Sequence, residues 1–225
     1  MVDWTALRLS VVLGAATLLL LLPPAAWLGR VLAYRRFPGR GLVEVLVALP
    51  LVLPPTVAGY ALLMLFGAGS PFGRAAASVL GHPLAFSFEG LLLASALVNV
   101  PFAVQPVQNA FAAIPREVRE AAAVSGMAPG RALLRIELPL AWPGIAVDAA
   151  LTFAHTLGEF GVVLMVGGSI PGRTRTAALA LYDRVQAFDD RGAALLAAAL
   201  LGVSLAALLL SNLLSRRVGR RTRDA

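Results

Sequence analysis

The chain has 225 residues, of which 59% are apolar and 14% charged, and it contains no cysteine. The apolar share exceeds the roughly 45–50% of ordinary soluble domains, and the lack of cysteine excludes a disulfide framework, thiol catalysis and a thiolate metal site. The formal net charge is +7, but the basic residues follow the connections between apolar runs instead of forming one nucleic-acid-binding face. Composition therefore predicts an integral membrane protein that binds no nucleic acid.

Five apolar segments are long enough to cross a bilayer, which takes about 20 residues of helix. We place them at 8–33, 42–66, 86–110, 142–166 and 192–214. The apolar core of the first segment is longer than that of a cleaved signal peptide, so we interpret it as a retained anchor. The sequence thus predicts an all-α integral membrane protein with about five spanning helices, or at most six.

The basic residues, all of which are arginine, divide unevenly between the two sides of the predicted membrane. Thirteen of the nineteen follow the first span, the third span or the last span, and the other six occupy the alternate positions. Because cytoplasmic loops are enriched in arginine, we expect the N-terminus outside and the basic tail 216–225 inside. The predicted location is the cytoplasmic membrane of a bacterium or archaeon.

The second span contains three prolines within the segment LPLVLPPTVAGY (49–60). Proline frees backbone carbonyls that lipid cannot satisfy, so this segment should face protein or a water-filled cavity. A simple kink and a broken helix beside a translocation pathway both fit the pattern. Three prolines followed by Gly59 favour the broken helix, which makes Pro54 and Pro55 candidate pathway residues.

The segment 115–139 is a charged island between apolar runs, on the predicted cytoplasmic side. Glu117 suits the positively polarised first turn of a helix, and Gly126 can end that helix in a left-handed conformation. Mostly small side chains share one face of the helix, namely Val118, Ala121, Ala122 and Ser125. Small residues allow close approach, so we predict a short cytoplasmic helix that docks into a groove of another protein.

Four polar residues of the fourth span recur at intervals of four, three and four positions: Asp148, Thr152, His155 and Glu159. In a continuous helix they form one narrow stripe, and ionisable groups in lipid turn inward towards partners or water. His155 and Glu159 could pair at i, i+4. Two interpretations stay open: the stripe attaches the helix to its neighbours, or it lines a translocation path or gate. No nucleophile or metal-ligand set accompanies it, so we predict neither a catalytic nor a metal site.

The loop after the fourth span begins with glycines and a proline and continues as IPGRTRT (170–176). Its two arginines, Arg173 and Arg175, have the guanidinium geometry that suits an oxyanion. They could receive such an anion at the outer mouth of a pathway. A solvated turn that meets a partner protein explains the same residues equally well.

The charged island also follows a spaced pattern: Glu-Ala-Ala, three residues, Gly, nine residues, Ile-x-Leu-Pro. The matching positions are Glu120, Ala121, Ala122, Gly126, Ile136, Leu138 and Pro139. This resembles the signature of importer-type ABC transporter permeases. Within that group LPLVLPPTVAGY, FSFEG (86–90), HTLGEFG (155–161) and IPGRTRT are similar to molybdate permeases, with sulfate, thiosulfate and tungstate permeases as similar relatives.

The resemblance, over about 10–215, implies a type I importer permease domain at 8–215 whose coupling helix contacts an ATPase through Glu120, Ala121, Ala122 and Gly126. It also implies a homodimer, two ABC ATPase subunits and an external oxyanion-binding protein, with molybdate or tungstate moved by alternating access. The chain has no lysine, which a Walker A phosphate loop requires. We therefore expect no cofactor in this chain, ATP and magnesium being bound by the ATPase.

Alternative functions would use the same residues in different ways. A sulfate or thiosulfate permease would keep the whole architecture. An ion-coupled secondary transporter would use the stripe from Asp148 to Glu159 as a proton relay, but it gives no reason for the pattern from Glu120 to Gly126. A membrane-embedded enzyme is disfavoured because the sequence has no cluster of reactive side chains.

Overall fold

The computed structural model describes residues 3–221, and every regular element in that range is helical. In chain order the elements are α1 (Trp4–Tyr34), α2 (Arg40–Val52), α3 (Pro55–Phe66), α4 (Pro71–Leu80), α5 (Phe88–Ala112), α6 (Arg116–Val124), α7 (Pro129–Ala132), a π-helical turn (Leu133–Glu137), α8 (Leu138–Gly158), α9 (Gly161–Gly167), α10 (Ala177–Gln186) and α11 (Asp190–Arg221). The predicted all-helical architecture is confirmed.

Within the described residues, four helical stretches are long and apolar enough to cross a membrane. They are α1, α5, the stretch Pro129–Gly158 and the part of α11 up to Leu213. The pair α2 and α3 makes a fifth candidate, bent by 108° at its centre. The helix of the second predicted span is therefore interrupted between α2 and α3, as the prolines of the sequence favour.

The fourth predicted span, 142–166, does not correspond to one helix. The helical stretch starts earlier, at Pro129, and α8 ends at Gly158. Glu159 is extended, with φ −63° and ψ 124°, and α9 restarts the helix at Gly161. Gly158 directly before Glu159 and Gly161 two positions after it weaken the helix here. The Glu159 carboxylate accepts a hydrogen bond from Val162 N–H in the first turn of α9.

Helix α5 occupies the middle of the bundle, with α1 alongside it in the same direction. Leu91 near the start of α5 clusters with Leu13 of α1, and Val104 further along clusters with Ala25. The two backbones approach closely at Gly29, where a Cβ atom would lie 2.8 Å from Val107 Cγ1. Glycine is thus required at this crossing.

Helix α11 lies against α8 and extends beyond the span predicted for it. Ser211 Oγ donates to the Ala146 carbonyl (2.5 Å) and Ser215 Oγ to the Pro143 carbonyl (3.2 Å). At 32 residues, α11 is about 48 Å long, more than the roughly 30 Å hydrocarbon core. The first part of the predicted tail 216–225 continues this helix, and 222–225 lie outside the described residues.

Candidate translocation and coupling sites

Two helix interruptions meet inside the bundle. One separates α2 from α3 and the other separates α8 from α9. A Cβ atom on Gly161 would lie 2.8 Å from Pro55 Cβ, and one on Gly59 would lie 2.9 Å from Met165 Cβ. These distances are too short for a larger residue, so the glycines allow the two interruptions to touch.

A cavity of about 200 Å³, which we call the break cavity, opens at this junction. Leu53 and Pro55 line it from the first interruption and Glu159 from the second. Among the described residues that line it, only His155 and Glu159 have polar side chains. Of the prolines in this segment, Pro50 and Pro55 line the cavity, whereas Pro54 stands just before Pro55 as the N-terminal cap of α3.

His155 is held from the side of α5. Its ring stacks on Phe102 with centroids 4.0 Å apart, and its Nδ1 lies 3.1 Å from Asn99 Oδ1. The Asn99 amide nitrogen donates to the Ser95 carbonyl (2.8 Å), so its oxygen faces His155 and accepts. The proton therefore sits on Nδ1 of His155, since an amide oxygen cannot donate.

The predicted pairing of His155 with Glu159 is wrong. His155 bonds to α5, whereas the Glu159 Oε1 atom accepts from Val162 N–H at 3.4 Å. The prediction assumed a continuous helix, which would place the two residues one turn apart. Because α8 ends at Gly158, Glu159 follows a different backbone direction.

The other two residues of the predicted stripe, Asp148 and Thr152, do not line the break cavity. The two residues are 2% and 0% exposed, respectively. Asp148 Oδ1 and Thr152 Oγ1 have no hydrogen-bonding partner among the described residues. The structure therefore separates the stripe into a cavity-facing pair and a pair enclosed within the bundle.

The charged island forms the short helix that the sequence predicts. Helix α6 covers Arg116–Val124, and Gly126 follows in the left-handed conformation with φ +72°. Its two faces differ from the prediction, however, because Ala122 is buried and Val118 packs on the core of the same chain. The outward face instead presents Glu120, Ala121 and the 90%-exposed Val124.

The inward face of α6 is attached to the end of α1. The Arg119 guanidinium lies 4.0 Å from the centroid of the Tyr34 ring, and Tyr34 Oη donates to the Phe111 carbonyl at 3.1 Å. One turn earlier in α1, Arg30 makes two hydrogen bonds to Glu137, of 2.5 and 3.0 Å, at the end of the π-helical turn. Sequence analysis missed this connection, since no pattern links residues 107 positions apart.

The outer loop separates its two candidate arginines. Arg175 forms ion pairs with Asp183 (2.9 Å) and Asp3 (3.8 Å), so it holds the loop against α10 and the start of α1. Arg173 is exposed and lines a different cavity from the one that contains His155. Arg175 is thus engaged by carboxylates, whereas Arg173 faces a cavity, and a role of either residue in anion contact stays a prediction.

The chain matches a family of membrane transport proteins along most of its length. The family is described as the binding-protein-dependent transport system inner membrane component, and its model matches residues 25–224. The chain belongs to this family. It is accordingly a multi-pass component of the inner membrane, and its part in the transporter is that of a permease without catalytic activity of its own.

Several permeases are similar to this chain over two thirds or more of their length. The molybdenum transport system permease protein ModB of Azotobacter vinelandii is 44% identical over 83% of each chain. The protein of the same name from Escherichia coli K12 is 35% identical over 97% of each chain. The sulfate transport system permease protein CysT of that strain is 34% identical over 87% of this chain and 69% of its own.

Solved structures share the fold at low sequence identity. A bacterial ABC transporter that imports alginate gives a TM-score of 0.71 at 19% identity, covering 95% of this permease and 78% of the other chain. The MetNI methionine ABC transporter gives 0.70 at 17% identity, covering 96% and 93%. The fold is thus that of type I ABC importer permeases.

Proposed function

We propose that this chain is the membrane-spanning permease of an ATP-driven importer that moves molybdate, or tungstate, into the cell. The observation that carries the proposal is the 44% identity with a molybdenum transport permease over 83% of both chains. That degree of similarity covers the broken helices as well as α6. In this proposal the chain supplies a path across the membrane and the surface that contacts the ATPase subunit.

Helix α6 is the proposed contact with an ATPase subunit. Glu120 and Ala121 lie on its outward face next to the exposed Val124, so an acidic and an apolar group are both available to a partner. Ala122 is buried and packs the helix against its own chain, and Gly126 ends the helix. The absence of lysine supports a separate ATPase, because a Walker A loop needs one.

The break cavity is the proposed place where the path crosses the bundle. Non-helical backbone is tolerated within a membrane only where it is buried in protein or lines a water-filled space. Among its described lining residues, the cavity offers His155 and Glu159 and no arginine. A carboxylate beside the path disfavours tight binding of a dianion, which suits transit and leaves capture to another protein.

The assembly we propose has two copies of this chain, two ATPases and one external binding protein. An alginate transporter of the same fold has been solved in complex with its periplasmic protein, which supports that part. The excess of arginine around α6 and at the end of α11 supports an outside N-terminus and an inside C-terminus. Since the chain lacks cysteine, single introduced cysteines at either end can test this orientation with an impermeant thiol reagent.

ATP hydrolysis by the reconstituted complex tests the substrate. The binding protein is loaded in turn with molybdate, tungstate and sulfate, and the rate is compared with the unloaded protein. Stimulation by molybdate and tungstate alone supports the proposal. Stimulation by sulfate alone would retain the architecture and assign the substrate to the second candidate, which the 34% identity with a sulfate permease favours.

Two variants, with one control, distinguish coupling to the ATPase from transport of the substrate. Glu120→Lys should release the ATPase, whereas Glu117→Lys makes the same charge change on the same helix outside the signature. Replacing both His155 and Glu159 by leucine should impair transport while the ATPase still copurifies. Normal uptake by the double variant would reduce these residues to structural contacts, and normal assembly by Glu120→Lys would refute the docking surface.

A further inference from the structure

A larger cavity opens at the end of the bundle where α1 and α5 begin. Its volume is about 530 Å³, within the range of roughly 300–1,000 Å³ typical of ligand sites. We call it the α1–α5 cavity. Its charged or titratable lining residues are Arg8, Arg173, His82 and Glu89, and its apolar ones include Leu9, Val12 and Phe88.

The two arginines of this cavity are unneutralised. Neither the Arg8 nor the Arg173 side chain forms a hydrogen bond or ion pair with another described residue, and both are exposed. Glu89 also lines the cavity, and its Oε2 lies 3.9 Å from His82 Nε2. The α1–α5 cavity thus offers two cationic groups and one carboxylate, a pattern that complements a ligand carrying both charges.

Exposed tryptophans indicate the depth of the cavity in the membrane. Trp4 and Trp27 of α1 are 70% and 68% exposed. They are separated along α1 by about 35 Å at 1.5 Å per residue, close to the roughly 30 Å hydrocarbon core with part of its interfaces. Tryptophan favours the two membrane–water interfaces, so Arg8, one turn deeper than Trp4, lies near the boundary between lipid headgroups and hydrocarbon.

The apolar wall of the cavity continues onto the surface of α1. Val12 lies one turn further into the membrane than Arg8 and is 47% exposed. A soluble oxyanion would gain nothing from Leu9 and Val12 and would be repelled by Glu89. A phospholipid uses all three features, because its headgroup cation, its phosphate and its acyl chains occur in that order along the molecule.

We propose that the α1–α5 cavity binds the headgroup of an ethanolamine phospholipid. Arg8 and Arg173 donate to the phosphodiester, for which guanidinium groups have the right geometry. Glu89 accepts from the primary ammonium group, and the acyl chains lie along Leu9 and Val12. An arginine so close to hydrocarbon is thereby neutralised by a lipid anion and not by the protein.

Native mass spectrometry of the full-length chain, with any subunits that copurify, tests this site. The protein is titrated with phosphatidylethanolamine, phosphatidylglycerol and phosphatidylcholine that carry identical acyl chains. We expect the ethanolamine lipid to bind at least several-fold more tightly than the other two. Phosphatidylglycerol lacks the cation, and the quaternary group of phosphatidylcholine cannot donate to Glu89.

Three variants, all at exposed positions, identify the groups involved. Arg8→Gln with Arg173→Gln should weaken ethanolamine-lipid binding about tenfold, corresponding to about 1.4 kcal/mol. Glu89→Gln should remove the preference over phosphatidylglycerol while phosphodiester binding persists. Arg191→Gln, which removes one charge outside the cavity, should leave binding unchanged.

Several outcomes would overturn the assignment. One is equal affinity for the three lipids, and another is wild-type binding by the double arginine variant. A third is displacement of bound lipid by millimolar inorganic phosphate or molybdate, which would make the cavity a site for soluble anions. None of these results depends on transport, so the lipid site and the importer function can fail independently.

Discussion

The ion pair between Arg30 and Glu137 makes the sharpest prediction about stability. The two side chains are 29% and 7% exposed, and Glu137→Ala would leave the Arg30 guanidinium without its carboxylate. Removing one partner of a fully buried pair costs about 3–5 kcal/mol. Because water can reach part of Arg30, we expect the free energy of unfolding to fall by about 2 kcal/mol.

An SDS titration of the purified protein, followed by tryptophan fluorescence, measures this free energy. The matched control is Glu120→Ala, which breaks the pair of Glu120 with Arg116, whose side chains are 56% and 80% exposed. Exposed pairs contribute only about 0–1 kcal/mol. A loss for Glu137→Ala no larger than for the control would refute the reasoning. So would strictly additive effects of Arg30→Ala and Glu137→Ala in the double variant, since contacting residues should be coupled.

Three further predictions concern backbone geometry and pH. Gly126→Ala should lower the free energy of unfolding by about 1 kcal/mol, because residue 126 has φ +72°, and it should reduce the amount of ATPase that copurifies. An unchanged complex would mean that α6 does not need a left-handed residue at its C-terminal end. Gly161→Ala should destabilise the fold, because its Cβ would lie 2.8 Å from a proline carbon, and Gly158→Ala, with open space around it, should not. A hydrogen bond from the Gly192 N–H and, as a smaller effect, one from Arg184 hold the pKa of Asp189 below its usual value. The ionised carboxylate therefore stabilises the fold fully above about pH 4, and this stabilisation is lost as the pH falls through the lowered pKa. In a plot of melting temperature against pH, Asp189→Asn should make the fall at acid pH less steep.

Local signals in the sequence predicted the elements that depend on local chemistry. Three prolines within six positions (50–55) indicate the break between α2 and α3, since proline removes a helical hydrogen bond and crowds the preceding turn. Glu117 and Gly126 delimit α6 through helix-end chemistry. In each case the residues that determine the structure are neighbours in the chain.

Predictions that relied on a longer continuous helix were less accurate. The stripe from Asp148 to Glu159 assumes a regular rotation per residue, and the extended conformation of Glu159 ends that regularity. The inward side of α6 could not be distinguished from its outward side, because Ala121 and Ala122 are chemically alike. Only the contact of α6 with the rest of the chain decides between them.

No pattern in the sequence predicts the ion pair between Arg30 and Glu137. Each residue looked like an ordinary charge at the end of a span, and their proximity depends on how α1 packs beside the π-helical turn. The same holds for Arg8 and Arg173, which the fold brings to one cavity from opposite parts of the chain. Contacts of this kind follow from tertiary packing and not from local propensity.

The junction of the two helix interruptions also determines the electrostatics of the break cavity. Each interruption turns the carboxyl end of one helix and the amino end of the next towards the same space, at Leu53 and Pro55 and at Glu159 and Val162. Helix ends carry partial charges of about half an elementary charge with opposite signs, so the four ends nearly cancel. The backbone therefore contributes little net charge to the cavity. Among the described lining residues, His155 and Glu159 carry the titratable groups, and Glu159→Gln would remove the carboxyl group from it.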